Sequence, residues 1–360
     1  MKRVFVSDCE GPISKNDNAF ELTAHFVPDG DSFFSLISKY DDVLADVVKK
    51  QGYTAGSTLK LVLPFLRAYD VTDRLMQEFS AQNLILIAGI QDTLKYIRGI
   101  TEAFIVSTSY EHYIKALCNA VAFPFENTYC TRLSIDKYSL TAQEKAKLKS
   151  LTKEIAQMPP ITIPSSAKSL KDLSQQDQTT VKRLDEIFWT EIVEMSCGRI
   201  FSEVTTVGGE QKAEAIRDAT AKLRAPLSDV MYVGDSITDV EAFQLVRENG
   251  GFAVSFNGNS YAVKNAEVAV LSENSVVTAV LADAFIKNGK AQALKLVENW
   301  NREFLKQSAL DSALLDWLFE LYPRVLPKVQ IVTPKNMDSL TKESSEFRKR
   351  VRGEAVGKLG

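Results

Sequence analysis

The chain has 360 residues, of which 45% are hydrophobic and 25% charged, and its net charge is −3. The length allows two or three domains, and the composition is that of an ordinary globular protein. The small net charge gives no footprint for nucleic acid or an anionic membrane surface, and no apolar run reaches the roughly 18 residues of a bilayer span.

The first residues, MKRVFVSDCEGP, hold an apolar run too short for a signal peptide, with an acid directly after it. VFVS (4–7) predicts a short strand of the kind buried in parallel sheets. From 14 to 84 the apolar spacing turns helical, in FFSLI (33–37), VLADVV (43–48), LKLVLPFL (59–66) and LMQEF (75–79). A helix over 89–99, a strand at AFIV (103–106) and a helix over 110–121 follow. Residues 136–165 are rich in Lys, Ser and Thr and are broken by PPITIP (159–164). Val181, Leu184, Ile187, Phe188, Ile192 and Met195 then form a helical stripe, so a second insertion is expected over 136–196. Helices over 212–223 and 239–249 alternate with strands at 230–235, 251–258 and 268–271. This alternation implies an α/β fold, a doubly wound parallel sheet with crossover helices. The pattern is helical again from 276 to 320, with Ala293, Leu296, Val297, Trp300 and Phe304 as a packing stripe. The final stretch, 341–360, is polar and partly basic, and a solvated tail is the expectation, with a docked helix as the alternative. Cys9, Cys118, Cys130 and Cys197 form no CxxC pair, so buried free thiols in a reducing cytoplasm are expected rather than a disulfide framework or a zinc site.

Ligands bind at the C-terminal edge of an open parallel sheet. Asp8 ends the first predicted strand, and Glu10 follows two residues on. Ser107, with Thr108 beside it, ends AFIV. Asp235 ends VMYVGD and Asp239 follows in the same turn. Lys212 begins a helix after Gly208 and Gly209. Taken singly, each has an ordinary structural reading: an Asp after a strand caps a helix or turn, a lysine is solvated, and a serine caps the next helix. Together they converge on one crevice. Carboxylates so close raise each other's pKa. A hard cation such as Mg²⁺ relieves the repulsion and accepts carboxylate, water and phosphate oxygens. Beside such a cation and Lys212, Asp8 can attack phosphorus, with charge neutralisation as the main requirement.

In this order, DCEGP (8–12), the serine of FIVSTS (104–109), Lys212 in GGEQKAEAI and GDSITD (234–239) resemble the four motifs of the haloacid dehalogenase (HAD) superfamily. GGFAVSFNGNSYAVKNAEVAV (250–270) is similar to the segment after the fourth motif in phosphoserine-phosphatase-like members. The resemblance implies a catalytic core over 1–13, 85–135 and 197–283, a helical cap over 14–84, and a C-terminal extension over 284–360. The 136–196 insertion has less clear precedent and is open between a second cap, a dimer contact and an elaborated loop. The implied roles are Asp8 as nucleophile, Ser107 and Thr108 at the phosphoryl group, and Lys212 between Asp8 and the phosphoryl charge. Mg²⁺ would be held by Asp8, the Glu10 backbone carbonyl and Asp235, with Asp239 close by or acting through water.

Motif one departs from the family pattern at two positions. The second acid of motif one is usually Asp and is here Glu10, with Pro12 where Thr is common. Glu has nearly the same intrinsic pKa as Asp and one more methylene. Two functions are therefore carried forward. One is a Mg²⁺-dependent phosphatase of a small phosphorylated metabolite, with Glu10 as general acid and base. The other is a catalytically weak relative that binds a phosphorylated ligand or protein partner. No nucleic-acid or membrane partner is expected, and the location is expected to be cytoplasmic. His25 and His112 have no metal-ligand spacing, and His112 is expected to be structural. The Cys9 N–H is a candidate to face phosphate. Arg67 and Lys60 are candidates to meet an anionic substrate from the cap, although helical surfaces carry such residues routinely.

Overall fold

The short apolar runs become strands of a single sheet. In the computed structural model, which describes residues 3–164 and 166–357, these are Val4–Ser7 (β1), Glu102–Tyr110 (β2), Thr128–Thr131 (β3), Val230–Gly234 (β4), Phe252–Phe256 (β5), Val268–Leu271 (β6) and Lys328–Ile331 (β7). Their order is β3-β2-β1-β4-β5-β6-β7. The first six run parallel, and β7 closes one edge antiparallel to β6. The α/β class and the parallel core are as the sequence implies. β3 and β7 are not predicted, because TYCT and KVQI are four residues long with interrupted apolar patterns.

Between the strands run Asn18–Phe26 (α1), Gly30–Asp42 (α2), Thr58–Ala68 (α3), Asp73–Gln82 (α4), Ile90–Ile100 (α5) and Glu111–Ala120 (α6). Ala142–Ala156 (α7), Gln175–Glu186 (α8) and Ile200–Glu203 (α9) follow β3. Then come Glu210–Leu223 (α10), Val240–Glu248 (α11), Ser260–Asn265 (α12), Val276–Asn288 (α13), Lys290–Glu298 (α14), Arg302–Gln307 (α15), Ser312–Leu321 (α16) and Met337–Arg352 (α17).

Strand side chains alternate between two faces. Val4, Val6, Val230 and Tyr232 pack under α10, α11 and α12. Phe5, Met231, Val233, Phe252 and Val254 pack under α5, α6 and α13–α16. Both faces are therefore dry, which is why the strands read as near-continuous apolar runs. A third core lies in the helices between the strands. Phe33, Tyr40 and Phe65 from the first helical segment meet Leu148, Leu184 and Phe188 from the second, and the cluster takes in Ile200 and Val204. Tyr40 stacks on Phe188 and donates to Asp185 at 2.5 Å. The two insertions thus share one apolar core.

The C-terminal segment departs from the expected solvated tail. Residues 337–352 form α17, which packs on α12 and β6 through Leu340, Val263, Ala269 and Leu271. Asp338 in its first turn and Lys349, Arg350 and Arg352 in its last complement the helix dipole. Its buried stripe is Leu340, Ser344 and Arg348, only one of which is apolar. Met337, Leu340, Phe347 and Val351 form a sparse apolar stripe, with Phe347 and Val351 packed against apolar clusters, and the charged majority of the helix masks it.

Candidate active site

Register brings the strand-end residues together. Ser7 pairs with Ile105 on one side and Val233 on the other. Asp8 therefore leaves the sheet beside Ser107 and Asp235, where the strand order reverses around β1. Asp8 donates its N–H to Val233 O at 2.8 Å, which extends the ladder by one bond. Gly11 makes the turn after Asp8 at φ +104°, and a Cβ there would lie 2.1 Å from Asp235 Oδ2. Only glycine meets both demands.

Lys212 is the pivot. Its side chain is fully buried, and Nζ sits 2.7 Å from Asp8 Oδ2 and 2.7 Å from Asp239 Oδ1. Asp239 is further held by Tyr232 Oη at 2.6 Å and by the N–H groups of Asp235 and Ser236 at 2.8 and 2.9 Å. Burial would raise Asp239, but Lys212, Tyr232 and the backbone outweigh it and hold the carboxyl below its usual range. Asp8 is the opposite case. Burial pushes it up to about 8 against the pull of Lys212, and Asp239 and Asp235 add to the rise. One lysine serves two carboxylates, and Asp239 has the better share. Burial pulls Lys212 down, but Asp239 and Asp8 overcome it and keep the ammonium charged.

Asp8, Asp235 and Asp239 are all buried and offer oxygens within 4.8 Å of one another. This donor set, short of positive charge at Asp8, fits a hard divalent cation. Asp235 has a second feature that the motifs do not announce. Its Oδ2 accepts from Arg348 and, at 2.9 Å, from Arg352, both at the end of α17.

Glu10 lines the same crevice as Asp8, Ser107, Thr108 and Asp235. Its Oε1 accepts from the Asn18 N–H at the start of α1, at 2.7 Å. Burial, then Asp17, push the carboxyl well above its usual range, against that hydrogen bond. Ser107 Oγ is engaged with Ser109, by N–H and by hydroxyl, at 3.2 Å each. Thr108 Oγ1 is buried with no hydrogen-bond partner among the described residues, a polar atom left over at the crevice. The loop before α3 closes down here. Gly56, at φ +90°, is so near Thr108 that a Cβ would come within 2.8 Å of its methyl group.

Several candidates are placed elsewhere. The Cys9 N–H is spent on Asp8 Oδ1 at 2.6 Å, not turned outward to phosphate. Burial, with Glu10 and Asp8, holds its thiol well above the ordinary range, so it is no nucleophile. His112 pairs with Asp73 at 2.9 Å in a structural contact between α6 and α4. Arg67 donates to Tyr138 O at 2.8 Å and joins the two insertions, and Lys60 lies over the Tyr53 ring. Sequence reasoning missed Tyr232, Arg348 and Arg352. The signals in the tail were the four-residue spacing of the two arginines and the helical spacing of Leu340, Phe347 and Val351.

A family model described as haloacid dehalogenase-like hydrolase matches residues 86–285, more than half of the chain. Among solved structures, a gene product of Archaeoglobus fulgidus is 24% identical with a TM-score of 0.79, over 100% of this chain and 99% of that one. This likeness shows a shared fold. A substrate-bound phosphoserine phosphatase is 11% identical with a TM-score of 0.45, over 76% of this chain and 95% of its own. Phosphoserine phosphatase in apo form is 12% identical with a TM-score of 0.44, over 81% and 100%. Likenesses this distant carry no argument about substrate. No curated protein matches the sequence.

Proposed function

The chain belongs to the haloacid dehalogenase-like hydrolases, and we propose that it is a Mg²⁺-dependent phosphatase of a small phosphomonoester, acting through an aspartyl-phosphate on Asp8. The observation that carries this reading is the buried Lys212 bridging Asp8 and Asp239 at 2.7 Å each. It places a permanent positive charge beside a carboxylate at the mouth of a crevice. Asp8, the Glu10 carbonyl and Asp235 would hold the cation, with Asp239 behind them. When bound, the cation supplies charge neutralisation for the phosphoryl oxygens.

The chain's own residues do the rest. Lys212 and the Thr108 hydroxyl orient the phosphoryl group, and Ser107 adds a hydroxyl once released from Ser109. Asp8, ionised where a bound cation would offset the burial that raises it, forms a bond from a carboxylate oxygen to phosphorus as the bond to the leaving alkoxide breaks. Glu10, whose burial favours its protonated form, gives its proton to that alkoxide. The resulting Glu10 carboxylate takes a proton from water, which attacks phosphorus and frees Asp8 and inorganic phosphate. The helical body over the crevice excludes bulk water. It is tied to the core by Tyr261 Oη donating to Asp46 at 2.9 Å and by the Gly56 contact. Among the described residues, no helix is long and apolar enough to cross a membrane. All four cysteines are buried and unpaired, which suits a reducing cytoplasm.

The test is phosphate release from a phosphomonoester panel with Mg²⁺, beside Asp8→Asn. Turnover that vanishes in the variant is the expected result, and no release from any ester overturns the reading. The Glu10–Asn18 bond favours a second one, a weak catalyst that retains a phosphorylated ligand. A ligand bound and unchanged after long incubation, with turnover rising in Glu10→Asp, would select it.

A further inference from the structure

The last turns of α17 enter the active site. Leu340, Ser344, Arg348 and Arg352 stand four residues apart on one helix face. Leu340 packs into an apolar cluster, and Ser344 donates to Gly258 O at 2.6 Å. Arg348 and Arg352 both ion-pair with Oδ2 of Asp235, with side chains only 3% and 4% exposed. Arg352 also donates from Nε to Lys15 O at 3.0 Å and from Nη2 to Asn16 O. Buried guanidinium groups are costly unless paired, so this carboxylate, together with the carbonyls of Asp235, Lys15 and Asn16, holds the end of α17 in place.

The same carboxylate belongs to the trio that fits a divalent cation. Two effects oppose each other. A hydrogen-bonded carboxylate is better oriented as a ligand, an effect of about 10- to 100-fold on affinity. Two guanidinium charges beside a doubly charged cation repel it, and the repulsion is strong because the site is buried. The two guanidinium groups already occupy the Asp235 oxygen that a cation would need, so competition is the larger effect.

We propose that Arg348 and Arg352 are built-in competitors of the divalent cation at Asp235, so that loading the site requires at least one of them to release that carboxylate. The C-terminal helix then sets the cation affinity of the site. This rests on the cation-dependent reading above.

The experiment titrates Mn²⁺ calorimetrically into the full-length protein and its Arg348→Gln, Arg352→Gln and Arg352→Lys variants. The glutamine variants should bind Mn²⁺ about tenfold tighter or more, and Arg352→Lys, which keeps its charge, should stay near the wild-type value. In the wild type, hydrogen exchange over 345–352 should speed up at saturating Mn²⁺. Equal or weaker binding by the glutamine variants overturns the proposal. If they fail to fold, wild-type exchange decides, and unchanged protection at saturation overturns it. Failure of every protein to bind Mn²⁺ removes the cation reading together with this one. Binding with unchanged affinity and protection removes the competition alone.

Discussion

Asp235 and Asp239 stand in one turn, both buried, and are neutralised in opposite ways. Asp239 is served from within the core: Lys212 on α10, Tyr232 on β4 and two N–H groups of its own turn. Asp235 is served by Arg348 and Arg352 from the far end of the chain. The first arrangement sits on a strand and a helix packed into one apolar core, and it can change only if the core opens. The second sits on a helix packed against α12 and β6, whose last turns are held by the ion pairs and a few carbonyl bonds. A fixed charge for anchoring and an exchangeable one for ligand response can therefore share a single loop.

The comparison breaks most easily at Lys212. Lys212→Met leaves two buried carboxylates without their cation, and unfolding in denaturant should show a loss of about 3–5 kcal/mol. A loss below about 1 kcal/mol, the scale of an exposed pair, would mean that the Asp239 side is no anchor. Asp235→Asn should cost less, about 2 kcal/mol, because Arg352 keeps its bonds to Lys15 O and Asn16 O. A larger loss than in Lys212→Met would reverse the ranking of the two sides. Tyr232→Phe removes one hydrogen bond to an ionised group and should cost about 1.5 kcal/mol in the same assay.

The remaining expected effect is on pH dependence. The carboxyl of Asp8 is raised to about 8 from an ordinary value of 3.8. Its contribution to stability is complete below the ordinary value and is lost as pH rises through the raised one. Asp239 is lowered, so its contribution is present above the ordinary range and is lost as pH falls through its own depressed value. Without divalent cation, the melting temperature should therefore drift down by a few degrees between about pH 5 and pH 8. Added Mg²⁺ should restore more at the upper end than at the lower. A flat profile in both conditions would mean that Asp8 is not short of positive charge.

Much of the site was legible along the chain. Asp8, Ser107 and Asp235 follow short apolar runs, and a parallel sheet places such residues at one edge whatever the loops between them do. Lys212 was legible because a glycine pair precedes the helix that carries it. Glu10 was legible as a candidate acid, but its hydrogen bond was not. Its contact with Asn18 depends on where α1 begins relative to the turn after Asp8, which side-chain type alone does not specify. Nor was the union of the two insertions, since α1–α4 and α7–α9 each show an amphipathic stripe without naming the surface that covers it.

By itself the sequence determined the alternation of strands and helices, the carboxylates at the strand ends and the family they resemble, because these follow from local periodicity and order. Only the tertiary structure decided how each charge is met. Periodicity finds the sparse apolar stripe of Leu340, Phe347 and Val351, but the buried face of α17 is completed by ion pairs and hydrogen bonds that no periodicity marks. Arg348 and Arg352 read as solvent-loving residues until folding sets a carboxylate, two carbonyls and an apolar cluster along one side of their helix.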